Sequence, residues 1–183
     1  MENLENSASE ELQDNQPQTV EITEHQMQSF LTKLKAEERL PLGIIAGIIS
    51  CILSAVIWAA VTYFSGYQIG YMAIGVGFLV GYAIRIAGNG ISLIYAIMGA
   101  LFSLIGCALG NLLAIFGFFA NEEGIGFGTV LSNLDLSALP QIFVDMTLSS
   151  PMDFVFYGLS AFIGWSAAKR EVKEEELAEY FNP

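Results

Sequence analysis

The chain has 183 residues, 54% of them hydrophobic and only 14% charged, with a net charge of −12. Soluble domains carry about 25% charged residues, yet here charge is absent from residues 40–84, 86–121 and 154–168. The first two windows exceed the roughly 20 apolar residues that span a bilayer, which excludes a soluble single-domain enzyme, and no basic face is available for a nucleic acid.

Residues 1–22 are rich in Glu, Asn, Gln and Ser and predict a disordered acidic tail. The start, Met1-Glu-Asn-Leu-Glu, lacks a positive region before an apolar core, so no cleavable signal peptide is expected. Residues 23–40 predict an amphipathic cytoplasmic helix. Thr23 and Gln26 have capping-box spacing, and Met27, Phe30, Leu31 and Leu34 share one face.

Residues 41–170 predict a four-span transmembrane domain. Pro41 suits a first helical turn, and the spans are expected near 42–64, 67–87, 91–120 and 152–168. Ser65-Gly66 and Ala87-Gly-Asn-Gly90 break the chain between the first three. Residues 91–120 would form a helix of roughly 45 Å, long enough to require tilt or projection beyond lipid. The outer loop, 121–150, is too long for a plain connector and carries amphipathic stretches around Pro140, which suggests short interfacial helices. Ser150-Pro-Met-Asp153 is a helix start. Residues 171–183 are expected to continue the fourth span as an acidic helical tail.

Four spans place every base on one side. Lys33, Lys35 and Arg39 precede the first span, Arg85 ends the second, and Lys169, Arg170 and Lys173 follow the fourth. The positive-inside rule then puts both termini in the cytoplasm. Trp58, Tyr63, Phe64 and Tyr67 are expected in an outer aromatic belt, and Tyr82, Tyr95 and Trp165 nearer the inner one.

Lipid gives apolar surfaces little reason to associate, so close helix packing must hold such a bundle together. Small residues recur at helical spacing on three spans: Gly43, Gly47, Cys51 and Ala55; Ala73, Gly77 and Gly81; Gly99, Ser103, Gly106 and Gly110. Gly43, Gly47, Gly77, Gly81, Gly106 and Gly110 are the expected packing positions, with some small faces left for a homo-oligomer.

No constellation for chemistry emerges. Cys51 and Cys107 form no CxxC pair and have no partner at metal spacing. Gly75-Val-Gly77-Phe-Leu-Val-Gly81 lies within an apolar run rather than at a strand–helix turn, so it is no dinucleotide motif. Gly158-Leu-Ser160-Ala resembles the serine neighbourhood of intramembrane serine proteases, but His25 is the sole histidine and no span contains a Lys to act as base. No catalytic residue, cofactor or metal is therefore expected. Four polar positions remain as candidate pore or lipid contacts: Arg85 at the inner mouth, Asn111 inside the third span, and Glu122 and Glu123 on the outer face.

Gly70-Tyr-Met-Ala-Ile-Gly-Val-Gly-Phe-Leu-Val-Gly-Tyr-Ala-Ile-Arg85 with Gly88-Asn-Gly90, together with Pro151-Met-Asp-Phe-Val-Phe-Tyr-Gly158, resembles a group of small, uncharacterised bacterial four-span membrane proteins. The resemblance covers roughly residues 40–170. It implies a bacterial inner membrane and an all-α, membrane-embedded four-helix bundle, and carries no activity with it. The expected function is a non-enzymatic structural or assembly component in contact with membrane lipid, with a protein partner reached through the cytoplasmic tails. The alternative is a small channel built by an oligomer.

Overall fold

A computed structural model describes residues 24–67, 70–135, 137, 138, 140–142, 144 and 151–181. The tail expected at 1–22 lies outside these residues, as do the proposed cap Thr23 and most of the outer-loop stretch after Pro140. Every regular element among the described residues is an α-helix. In chain order they are α1 (Glu24–Ala36), α2 (Leu40–Ser65), α3 (Met72–Gly88), α4 (Leu93–Glu122), α5 (Phe127–Ser132), α6 (Pro151–Ala168) and α7 (Glu174–Phe181).

The chain divides into two compact units, residues 1–33 and 34–183. The first takes in the part of α1 up to Lys33, where Phe30 is buried and Met27 and Leu31 are half-buried. The second unit holds α2 to α7. Pro41 occupies the first turn of α2, where its missing N–H costs nothing, and Gly66 ends the helix at φ 68°. Asn89 ends α3 in the same left-handed region, at φ 49°.

Four helices pack together. α2 lies on α3 and α4, α6 lies on α3 and α4 from the other side, and α3 and α4 touch each other. The cross-section is therefore a rhombus, with α2 and α6 at its far corners. The N–H of Arg39 donates to the Gly88 carbonyl at 2.8 Å, and that of Arg170 to the Gly90 carbonyl at 2.9 Å. These bonds gather the start of α2, the end of α3, the start of α4 and the end of α6 at one end. That end carries Arg39, Arg85, Lys169 and Arg170 and is called the basic end below. Glu122, Glu123 and Asp135 belong to the opposite, acidic end, and residues 86–168 contain no Lys or Arg.

Two helices, α2 and α4, are long and apolar enough to cross a membrane. At 26 and 30 residues they run about 39 and 45 Å. α3 and α6, with 17 and 18 residues, reach only about 26 and 27 Å. α3 begins at Met72, later than the 67 expected, because Gly70 and Tyr71 form a turn whose carbonyls accept from Ala73 and Ile74.

The outer surface is apolar, unlike that of a soluble bundle, around a core that includes Trp58, Val80, Ile84 and Tyr95. The inward face of α2 is Gly43, Gly47, Ser50, Cys51, Ser54, Ala55, Trp58 and Thr62. Its outward face is large and aliphatic: Ile45, Ile48, Ile49, Ile52, Leu53 and Val56, with Ile49 62% exposed. Ser103, Asn111, Asp153 and Ser160 are buried in the other helices, while Leu101, Ile105, Leu109, Val155 and Phe162 point out.

All six of the expected packing glycines face another helix. A Cβ at Gly43 would stand 3.0 Å from the Tyr95 ring, and one at Gly47 2.6 Å from Phe102. At Gly77 it would lie 2.6 Å from the Ser160 carbonyl, and at Gly81 2.8 Å from that of Gly164. At Gly106 it would meet Ser54 at 3.0 Å, and at Gly110 Trp58 at 2.8 Å. The fourth helix has a stripe of its own, which the reading of glycines on three spans missed. Ser160, Gly164 and Ala168 recur every four residues and are all buried. Gly99 and Gly164 pack backbone to backbone where α4 crosses α6.

Two aromatic expectations are corrected. Trp58 is 1% exposed and Tyr95 0%, so neither belongs to a belt. Trp58 fills the space left by Gly110, and the Tyr95 ring occupies that left by Gly43, Gly88 and Gly90. Tyr63, Phe64, Tyr67, Tyr82 and Trp165 are exposed. The tail is corrected too. It does not continue α6 but breaks at residues 169–173 before α7, because the Arg170 N–H leaves the helical ladder to bond Gly90.

Candidate functional site

Three places in the second unit concentrate polar groups or open space. The first is inside the bundle. Trp58 on α2 donates its indole N–H to Asn111 Oδ1 on α4 at 2.8 Å, and Asn111 Nδ2 donates to the Tyr157 hydroxyl on α6 at 2.9 Å. Asn111 is thus buried and bonded to two helices. In an apolar interior, an unmet polar group costs more than a hydrogen bond returns, so each group here is held by the others. Three of the interior serines turn back onto their own helices instead. Ser50 donates to Ala46 at 2.7 Å, Ser54 to Cys51 at 2.9 Å and Ser103 to Gly99 at 2.6 Å.

The second place is the basic end. Glu38, just before α2, accepts from the Ile91 N–H at 3.0 Å, the Ser92 N–H at 2.8 Å and the Ser92 hydroxyl at 2.6 Å. A carboxylate at the start of α4 meets the unpaired N–H groups and positive dipole end of that helix. Arg170 donates to Asn89 Oδ1 at 3.0 Å and pairs with Glu176 on α7. The turn between α3 and α4 is therefore gripped from both sides. A polar cleft of about 520 Å³ opens beside Glu37, Glu38, Arg39 and Asn89. Arg85 stands half-buried in the last turn of α3, one face of the same end.

The third place is the acidic end. Phe116 and Ala120 of α4 pack with Val130 of α5 into a small second core. Beside it an apolar groove of about 640 Å³ runs between α2 and α4, its walls kept low by Ala59, Ala60, Gly117 and Ala120. Tyr63 and Asn121 stand at its polar end, their side chains only 3.5 Å apart at the closest hydrogen-bonding atoms. Glu122 and Glu123 follow Asn121 and are exposed. Further along, Asp135 accepts from the Ser137 N–H at 2.9 Å and its hydroxyl at 2.7 Å, which holds its carboxyl below the usual range.

Among the described residues no three His, Cys, Asp or Glu side chains gather in a way that would hold a metal ion. Cys51 and Cys107 are free thiols, both buried. The structure thus separates the four candidate polar contacts: Asn111 in the interior, Arg85 at the basic end, Glu122 and Glu123 at the acidic end. Sequence reasoning did not find Tyr157, Glu38 or the pairing of Arg170 with Asn89, since each joins residues more than 40 positions apart and leaves no periodic mark. Comparison with protein families, with curated proteins and with solved structures finds no match for this chain.

Proposed function

We propose that this chain is a non-enzymatic integral membrane protein, a four-span bundle that serves as a structural or assembly component of a bacterial inner membrane and associates with copies of itself. The observation that carries the reading is the apolar outer surface. Large aliphatic and aromatic side chains face outward along α2, α3, α4 and α6, while the interior combines small and polar residues with Trp58, Val80, Ile84 and Tyr95. Water would make that surface an aggregation site, whereas lipid tails are its natural solvent.

The shorter α3 and α6 lie side by side, and bases at their ends can reach the headgroups to make up the missing length. The clustering of Arg39, Arg85, Lys169 and Arg170 supports a cytoplasmic basic end. Self-association is supported by Gly75 and Gly158, whose missing side chains open onto free space, since such positions let a second helix approach closely in lipid. The filled interior, with Asn111 tied to Trp58 and Tyr157, supports a structural role over a path through one copy.

Membrane-impermeant thiol labelling tests the reading. Single cysteines are introduced as Glu123→Cys or Glu171→Cys in a chain with Cys51→Ala and Cys107→Ala. Four spans put the two positions on opposite sides, so the outside reagent labels 123 alone. Crossing by α2 and α4 only would put both on the same side, and labelling both or neither from outside overturns the four-span bundle.

A further inference from the structure

We propose that the groove at the acidic end binds one acyl chain of a membrane phospholipid with an amine-bearing headgroup, in preference to an anionic phospholipid. The proposal rests on the membrane reading above. Its volume of about 640 Å³ falls within the ~300–1,000 Å³ typical of ligand clefts. Its bed is apolar and shallow-walled because Ala59 and Ala60 on α2 oppose Gly117 and Ala120 on α4. It is continuous with the aliphatic outer face of α2, where Val56 is exposed, so a chain enters sideways from the bilayer without crossing a polar barrier.

The polar end matches a headgroup in order. Tyr63 and Asn121 come first, at the level of ester and phosphate oxygens. The Tyr63 hydroxyl donates to Asn121 Oδ1 at 3.5 Å, which leaves the Asn121 amide N–H to donate to a ligand. Glu122 and Glu123 follow Asn121 in the chain and are exposed; they do not line the groove, and their charge would act on a headgroup at this end across solvent. No Lys or Arg occurs anywhere from residue 86 to 168, so nothing at this end offsets the repulsion an anionic headgroup would meet. Charge complementarity therefore selects the headgroup, and the groove holds the chain. Filling the space also removes the loss of contacts that an empty apolar groove imposes on its lining.

The test uses the full chain, purified in neutral detergent, stripped of lipid and titrated with phosphatidylethanolamine or phosphatidylglycerol of matched chains, with bound lipid counted by native mass spectrometry. One phosphatidylethanolamine per chain is expected, held about threefold to tenfold more tightly than phosphatidylglycerol at low salt. Glu122→Gln with Glu123→Gln should abolish the preference while keeping the binding; both positions are exposed and leave the fold untouched. Ala60→Phe should fill the groove and weaken binding of both lipids. Equal binding of the two lipids by the unaltered chain overturns the proposal, as does full phosphatidylethanolamine binding by Ala60→Phe. Alkaline carbonate extraction of the same chain from vesicles separates the two levels. Release into the supernatant overturns the membrane reading and this inference together, whereas a chain that stays embedded without a lipid preference overturns the inference alone.

Discussion

At the scale of single residues, the bundle rests on a few places where side chains were removed and a few where polar atoms were matched. Gly164 and Gly158 lie on the same helix, yet a Cβ at the first would strike Gly99 and Ser103 while one at the second would meet nothing within 4 Å. Added bulk costs about 1–3 kcal/mol where it cannot be accommodated, so the two glycines differ in kind although they look alike in sequence. Asn111 is the central polar residue. Asn111→Leu keeps the branching and the number of side-chain heavy atoms but leaves the Trp58 N–H without its acceptor and removes a donor from Tyr157. The expected loss is about 1–3 kcal/mol, read as a lower unfolding temperature in mild detergent. An unchanged temperature would mean that water or a rotated neighbour replaces both bonds.

At the scale of elements, the basic end is built by side chains that act between helices. Glu38 covers the start of α4, and Arg170 links the turn before α4 to α7. α7 has eight residues, too few for a helix to hold by itself in water. Its persistence depends on the contacts that Arg170 and Glu176 make. Arg170→Ala should therefore raise amide deuterium uptake across residues 174–181 by at least about tenfold in exchange rate, with little change in residues 97–110 of α4. Equal protection in both chains would show that apolar contacts of α7 suffice. The same bonds explain why the helix of α6 stops where it does: the polypeptide exchanges helical partners for Gly90 and Asn89.

At the scale of the whole molecule, charge and burial are arranged along different axes. Burial is radial, with the small-residue stripes and the buried polar groups inward and an apolar surface outward, and charge is axial, with bases at one end. The axial asymmetry sets the orientation during insertion under the proposed reading. Glu122→Lys with Glu123→Lys places bases on the end that has none, beside spans whose other ends carry Arg85 and Lys169. The labelling assay should then show a population in which position 171 is reached from outside. If position 171 stays wholly protected in that variant, the bases do not set the orientation of this chain.

The sequence by itself determined that the chain is helical and which windows are long and apolar enough to cross a bilayer, because both follow from local composition. Uncharged runs, proline at a first turn and Gly66 or Asn89 at a helix end act within a few residues. The stripe of Ser160, Gly164 and Ala168 is equally local, a fourth run of small residues at the same spacing. Tertiary structure alone decided which side of each helix is inside. Trp58 and Tyr95 look like belt residues by type, but the spaces opposite Gly110 and Gly88 draw them into the core. It also decided which partners the polar residues take. In the sequence Asn111 suits an interhelical hydrogen bond or a pore lining, and the structure gives it Trp58 and Tyr157 as interhelical partners; the groove between α2 and α4 exists only because small residues on two helices distant in sequence come to face each other. Periodicity records one helix at a time, whereas a buried hydrogen bond or an open groove belongs to a pair.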